Sequence, residues 1–266
     1  MMELFDPLTG LIIVLFGLLI GIVSGMFGVG GGTMIVPLFN LVFGMPIVNA
    51  AATSLLCIMP TAFSGAVKHL HQKTVHLKVG VILGATGAVA SVFGALISEH
   101  VPALLIVILT AIVIFFSSFR MFVEARRPPA VDETKSLQER GDKIRRSMPL
   151  VIVLGICAGL MAGLIGVGGG FVIVPFCVAY LGFRMSEAAG TSLVAIGIIA
   201  IPGIIMHAVL GQIEWFYGLA LIIGTVPGAQ LGAWLITKLP ENYMRIAFAI
   251  LLCIVGGLLI ANNLVF

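Results

Sequence analysis

The sequence predicts an all-α polytopic membrane protein: two inverted repeats of about five apolar segments each, with short broken or re-entrant helices at two glycine motifs. Three observations predict it. Of 266 residues, 60% are apolar and only 9% charged, against about 25% charged in an average soluble domain. No Asp, Glu, Lys or Arg occurs between Asp6 and Lys68, a stretch long enough for more than one crossing at about 20 residues per helix. Displaced by 138 residues, the sequence aligns with itself without a gap from about Gly17 to Ile112. Unpaired backbone groups cost several kcal/mol each in hydrocarbon, so spanning elements must be helices or a closed barrel. Continuous apolar runs without strict alternation select helices.

The acidic opening MMELFDP, with no Ala-x-Ala-like site after the first apolar stretch, argues that this stretch is kept as a helix and not cleaved. The first repeat, residues 1–123, holds apolar segments at about 8–27, 31–44, 47–67, 79–98 and 102–123. The second, 149–266, holds them at about 149–165, 169–182, 186–210, 215–237 and 243–263. The second segment of each is too short to span unaided. Between the repeats, 124–148 carry Arg126, Arg127, Lys135, Arg140, Lys143, Arg145 and Arg146 with two prolines, and are expected to form an aqueous linker. Pro60 and Pro202 are expected to kink the third helices. Arg120 and Arg245 fall near segment ends, where they are expected to snorkel. Cys57, Cys157, Cys177 and Cys253 lack any CxxC or Cys/His spacing and read as packing residues.

Cations cluster in the linker and in the Lys68–Lys73–Lys78 loop, so both are expected in the cytoplasm. The same counting puts Arg184 and Lys238 inside. An odd number of crossings per repeat inverts the halves and places both termini outside, in a bacterial-type inner membrane. The net charge of +3 sits in these loops, so it speaks to topology and not to a nucleic-acid partner.

The repeat is densest at Gly25-Met-Phe-Gly28-Val-Gly30-Gly31-Gly32-Thr33 through Pro37, which recurs as Gly163-Leu-Ile-Gly166-Val-Gly168-Gly169-Gly170-Phe171 through Pro175. Four glycines in five residues break a helix, at about 1 kcal/mol each relative to Ala. The restart offers free N–H groups at the positive end of a helix dipole, which suits an anion. Non-helical backbone at membrane depth is tolerated beside protein or a watery cavity, so the break is expected to line a pocket. A competing reading is close helix packing, for which Gly21 with Gly25 and Gly159 with Gly163 have the GxxxG spacing. A nucleotide fingerprint would need a strand and a βαβ unit, which are absent.

Thr53-Ser54 and Thr191-Ser192 follow each short segment and supply hydroxyls for an anion; alternatively they bond carbonyls in their own helices. His69 and His207 match at the ends of the third helices, as interfacial side chains or as groups coupled to protons or substrate. His71 and His76 join His69 without an Asp, Glu or Cys, and the second copy keeps one histidine, so no metal or other cofactor is expected.

These residues resemble the sulfite exporter TauE/SafE family of membrane transporters. The likeness rests on the two glycine breaks at 25–37 and 163–175, each followed by a Thr-Ser pair, and covers the chain outside the linker. It implies transport of a sulfur-containing anion such as sulfite, thiosulfate or an organosulfonate, usually as export. The resulting expectation is a secondary transporter, not an enzyme, working by alternating access between the halves, with the small anion and the lipid bilayer as partners; a homo-oligomer is compatible with it. Two alternatives stand beside it: an anion channel whose breaks form a filter, and a membrane enzyme or scaffold. For an enzyme, Glu187, Glu214 and Glu99 are the acids nearest to apolar surroundings, and none pairs with a histidine in sequence.

Overall fold

The computed structural model describes residues 7–98, 103–126, 147–166 and 168–265; most of the expected linker lies outside them. Ten helices account for their regular structure, with no strand among the described residues. The first repeat comprises α1 (Pro7–Phe27), α2 (Gly32–Pro37), α3 (Ile47–His71), α4 (Leu77–Ser98) and α5 (Ala103–Ala125). The second comprises α6 (Met148–Ile165), α7 (Gly170–Phe176), α8 (Met185–Val209), α9 (Trp215–Ile236) and α10 (Glu241–Val265). Six of these are long and apolar enough to cross a membrane by length and composition. Large apolar side chains are exposed on the outer surface of the bundle, among them Leu11, Leu15 and Leu19 on α1, Phe116 and Phe119 on α5 and Ile223 on α9. In water such a surface would be an association hazard; in lipid it faces its proper solvent.

The short helices α2 and α7 each run into one π-helical turn, Leu38–Val42 and Cys177–Leu181. The cause is local. Pro37 and Pro175 lack the N–H of a regular turn and their rings crowd the preceding carbonyls, and a widened turn relieves both. By contrast α3 and α8 continue as helices through Pro60 and Pro202.

Two glycine seams tie the repeats together. On α1, Gly17, Gly21 and Gly25 lie against Leu221, Thr225 and Ala229 of α9; a Cβ at Gly21 would stand 2.4 Å from the Thr225 carbonyl oxygen. On α6, Gly155, Gly159 and Gly163 lie against Leu83, Gly87 and Ser91 of α4. Residue numbers rise together along both seams, so each pair is parallel. Lipid gives apolar helices no hydrophobic drive to associate, so close backbone approach through small residues supplies the packing energy. Both readings of the glycines hold, in different places: the upstream ones pack and the consecutive ones break the helix.

The third helices α3 and α8 are antiparallel. Thr53, near the start of α3, meets Glu214 just past the end of α8, and Thr191, near the start of α8, meets His76 just past the end of α3. The halves are therefore inverted. One face of the molecule collects the α3–α4 turn, the C-terminus of α5 and the starts of α8 and α10, and is called here the linker face; the α8–α9 turn marks the opposite face. On the linker face Arg245 corrects the expectation of snorkelling. It is fully buried, donating to the carbonyl of Glu124 at 3.0 Å and to the Glu241 carboxylate at 2.5 Å, because α5 and α10 pack antiparallel and close over it. Arg120 lies over the Tyr180 ring, 5.1 Å from its centroid. The cysteines divide: Cys57 and Cys177 are buried, as packing residues should be, whereas Cys157 and Cys253 are exposed on the outer surface.

Candidate functional site

Each break is built from a left-handed turn. Gly31 (φ 85°) and Gly169 (φ 71°) cap α2 and α7 in the αL region, where a side chain costs roughly 1 kcal/mol or more. Their carbonyls accept the N–H groups of Met34 and Ile35, and of Val172 and Ile173. The N–H groups of Gly32 and Thr33, and of Gly170 and Phe171, form the open first turn of each restarted helix, with no acceptor among the described residues. Free N–H groups and a positive helix end therefore coincide at both breaks.

The two breaks meet near the middle of the molecule. A Cβ at Gly30 would lie 3.0 Å from Ile196 and 3.2 Å from Ile58; one at Gly168 would lie 3.2 Å from Ile196 and 3.5 Å from Ile58. Ile58 and Ile196 are repeat counterparts near the midpoints of α3 and α8. Gly170 completes the contact, its added Cβ falling 2.6 Å from the Gly28 carbonyl oxygen and 2.7 Å from Val29 Cα. Gly28, Gly30, Gly31, Gly32 and Thr33 are buried, as are Gly166, Gly168, Gly169, Gly170 and Phe171. In this conformation the meeting point is sealed, with Ser24, buried beside Gly31, left without a hydrogen-bond partner for its hydroxyl.

The Thr-Ser pairs hold the breaks in an exchanged pattern. Ser54 Oγ donates to the carbonyl of Gly166 at 2.7 Å, and Ser192 Oγ donates to that of Gly28 at 2.7 Å. Each serine thus clamps the break of the other repeat. Thr53 Oγ1 accepts the N–H of Glu214 and Thr191 Oγ1 that of His76, both at 3.0 Å, capping the starts of the other repeat's fourth helices. All four side chains are fully buried. The carbonyl bond expected within the helix is present only for Ser54, which also reaches the Ala51 oxygen at 2.8 Å.

The histidines stand away from this centre, at the third helices' far ends. His69 is buried, with Nε2 3.1 Å from the Gly25 carbonyl and Nδ1 2.8 Å from Thr74 Oγ1. A carbonyl only accepts, so Nε2 carries a proton, and the neutral ring takes the Thr74 hydroxyl proton on Nδ1. If the ring is charged, Nδ1 donates instead and the Thr74 hydroxyl turns to the His69 carbonyl, 3.1 Å away. His207 donates through Nδ1 to Gln212 Oε1 at 2.6 Å. The sequence reading missed Thr74, Gln212 and the exchange of clamps. Thr74 and Gln212 are repeat counterparts, but differ in residue type and so leave no match in the self-alignment.

A helical membrane protein of two inverted repeats, joined at paired glycine breaks, is the class this architecture defines. The chain belongs to the sulfite exporter TauE/SafE family, whose model matches residues 13–259. It is similar to the probable membrane transporter protein YdhB of Bacillus subtilis, 30% identical over 254 residues that cover 94% of this chain and all of the relative. It is also similar to the probable membrane transporter protein YunE of the same organism (28%, 95% and 98% covered) and to the probable membrane transporter protein MJ0441 of Methanocaldococcus jannaschii (23%, 92% and 93% covered). No solved structure matches it. The chain is a multi-pass membrane transporter of TauE/SafE type.

Proposed function

We propose that the protein is a secondary transporter that exports a small sulfur-containing anion, sulfite or an organosulfonate, across a bacterial-type inner membrane by alternating access between its two repeats. One observation carries the reading: two inverted helix restarts, each with free N–H groups, converge beside Ile58 and Ile196 at mid-depth. Convergent positive helix ends are a physical basis for holding an anion at the centre of an inverted-repeat transporter. The backbone N–H groups of Gly32, Thr33, Gly170 and Phe171 are the donors assigned to the anion. Ser54 and Ser192 hold the breaks shut in the sealed state, and their hydroxyls are released to the anion as the repeats rock apart. His69, three residues of helix away from the break through Gly25, is assigned to proton coupling, with His207 as its counterpart. The cytoplasmic linker and external termini follow from the cation distribution.

Uptake of labelled sulfite, thiosulfate, sulfoacetate and sulfate into proteoliposomes tests this. At least one of the sulfur anions is expected to move with saturation and counter-transport, and Gly31→Leu and Gly169→Leu, which place a side chain in αL geometry, are expected to abolish it. Flux without counter-transport would favour a channel; no movement of any of them defeats the reading.

A further inference from the structure

The two breaks share their glycines but not their side chains. Ser24, one helical turn before Gly28, has Ala162 as its repeat counterpart, and Thr33 has Phe171. Ser24 is 1% exposed, and its Oγ is buried with no hydrogen-bond partner among the described residues. A serine inside a helix ordinarily donates to a carbonyl three or four residues before it, here Gly21 or Ile20, and Ser24 does neither. Buried polar groups are nearly always paired, and leaving a donor unpaired is costly. This hydroxyl, beside the break, is one that the protein's own acceptors leave over.

Packing around the two caps differs in the same direction. With its π-helical turn, α2 forms one continuous apolar helix, Gly32–Val42, capped by Gly31. A Cβ on Gly31 would first meet side-chain atoms, of Ile20 at 3.2 Å, Ile35 at 3.4 Å and Ser24 at 3.7 Å. One on Gly169 would lie 2.7 Å from the carbonyl oxygen of Ala158 and 3.1 Å from its Cβ. Ala158 and Ala162 are the counterparts of Ile20 and Ser24. Two alanines thus let the α6 backbone close directly on the second break, and the fully buried Phe171 fills its first turn with apolar bulk. The longer side chains on α1 hold the first break off, so Gly31 faces groups that can move instead of a helix backbone. The polar groups of the restart next to Gly31, the N–H groups of Gly32 and Thr33, are donors, so a ligand shared between them and Ser24 is an acceptor.

We propose that the two breaks do unequal work: the first carries the side-chain contact to a small oxyanion, with Ser24 Oγ donating to one of its oxygens and the buried Thr33 hydroxyl as a second donor, while the second, with Ala162 and Phe171, is a packed abutment. This rests on the reading that the chain carries a small anion, and it names the specificity-determining side chain of that same site. Ser24 is paired only while the anion is bound, so its hydroxyl contributes to affinity and nothing to the sealed fold. In this it differs from Ser54 and Ser192, whose hydroxyls are engaged in the sealed state.

The test uses the full chain, with the sodium salts of sulfite, thiosulfate and sulfoacetate as probes. In detergent at matched ionic strength, at least one probe is expected to raise the unfolding temperature of the wild type saturably. Ser24→Ala should weaken the apparent affinity for that probe, and raise its half-saturating concentration in proteoliposomes, about tenfold or more, as expected for loss of a donor to a charged oxygen. Without a probe the same variant should unfold at the wild-type temperature or above it, because it removes an unpaired group; a serine that merely supports the fold would move the two readouts the other way. Ser24→Cys, with a weaker donor, should fall between. The double variant Ser24→Ala with Ala162→Ser, which moves the hydroxyl to the other break, should not recover affinity, and recovery would overturn the assignment to the first break. Ser24-dependent binding without transport of any probe keeps the contact and defeats the transport reading. Transport with unaltered half-saturation in Ser24→Ala keeps the transport reading and defeats the contact. Absence of both binding and transport defeats both.

Discussion

Ser192 directs its single hydroxyl proton at the Gly28 carbonyl, and Ser54 shares its own between the carbonyls of Gly166 and Ala51. Removing the donor leaves a buried acceptor unpaired, which costs about 1–3 kcal/mol. Ser54→Ala and Ser192→Ala are therefore each expected to lower the unfolding temperature by several degrees, measured by thermal unfolding in detergent. The Gly30–Gly32 stretch should also become more open to hydrogen exchange in Ser192→Ala. His69→Gln, which retains a donor toward Gly25 but cannot titrate, is expected to flatten the pH dependence of transport; an unchanged profile removes His69 from proton coupling. At this scale the sequence was half legible. The Thr-Ser pairs stood out because both copies keep them, but a motif repeated identically in two halves cannot say whether it serves its own half or the other. Arg245 was misjudged for a related reason. Its position near a segment end is visible in sequence, whereas the closure of α5 over it is a tertiary fact.

Among elements, the parallel seams α1–α9 and α4–α6 carry the closest backbone contacts. A Cβ at Gly25 would fall 2.1 Å from the Ala229 carbonyl oxygen, whereas one at Gly10 meets nothing within 4 Å. Gly25→Ala must push two helix backbones apart and is expected to cost about 2 kcal/mol or more, in the range of overpacked cores. Gly10→Ala on the same helix should be neutral, and the contrast is read by unfolding in detergent. Element positions were largely legible. The segment expected at 31–44 appears as Gly32–Val42 and that expected at 102–123 as Ala103–Ala125, because apolar runs bounded by glycine or charge leave little freedom in lipid. The π-turns after Pro37 and Pro175 were not legible, since proline signals a disturbed turn without saying whether the helix ends, kinks or widens.

Taken whole, neither repeat is self-sufficient. Each break, each fourth-helix start and each first-helix seam finds its partner in the other half. Residues 1–126 expressed alone are expected to be degraded in the membrane, and co-expression with 147–266 to restore a stable complex, assayed by co-purification. Survival of the isolated first half would show that the exchanged clamps are dispensable. Impermeant labelling of single cysteines near residue 135 and at the two ends tests the orientation; the linker is expected to be protected and both termini labelled from outside. The inversion was legible from odd segment counts and loop cations, but the interlocking was not, because self-alignment records similarity and carries no contacts.

The exchanged clamps also bear on ancestry. A single unit the length of one repeat would have had no serine for its own glycine carbonyl, and only a second copy lying the other way up could have supplied one. Before the two units were fused into one chain, the same polypeptide would have had to insert into the membrane in both directions in comparable amounts. On the proposed orientation, the cation-rich stretch that now joins them would hold each half to one direction.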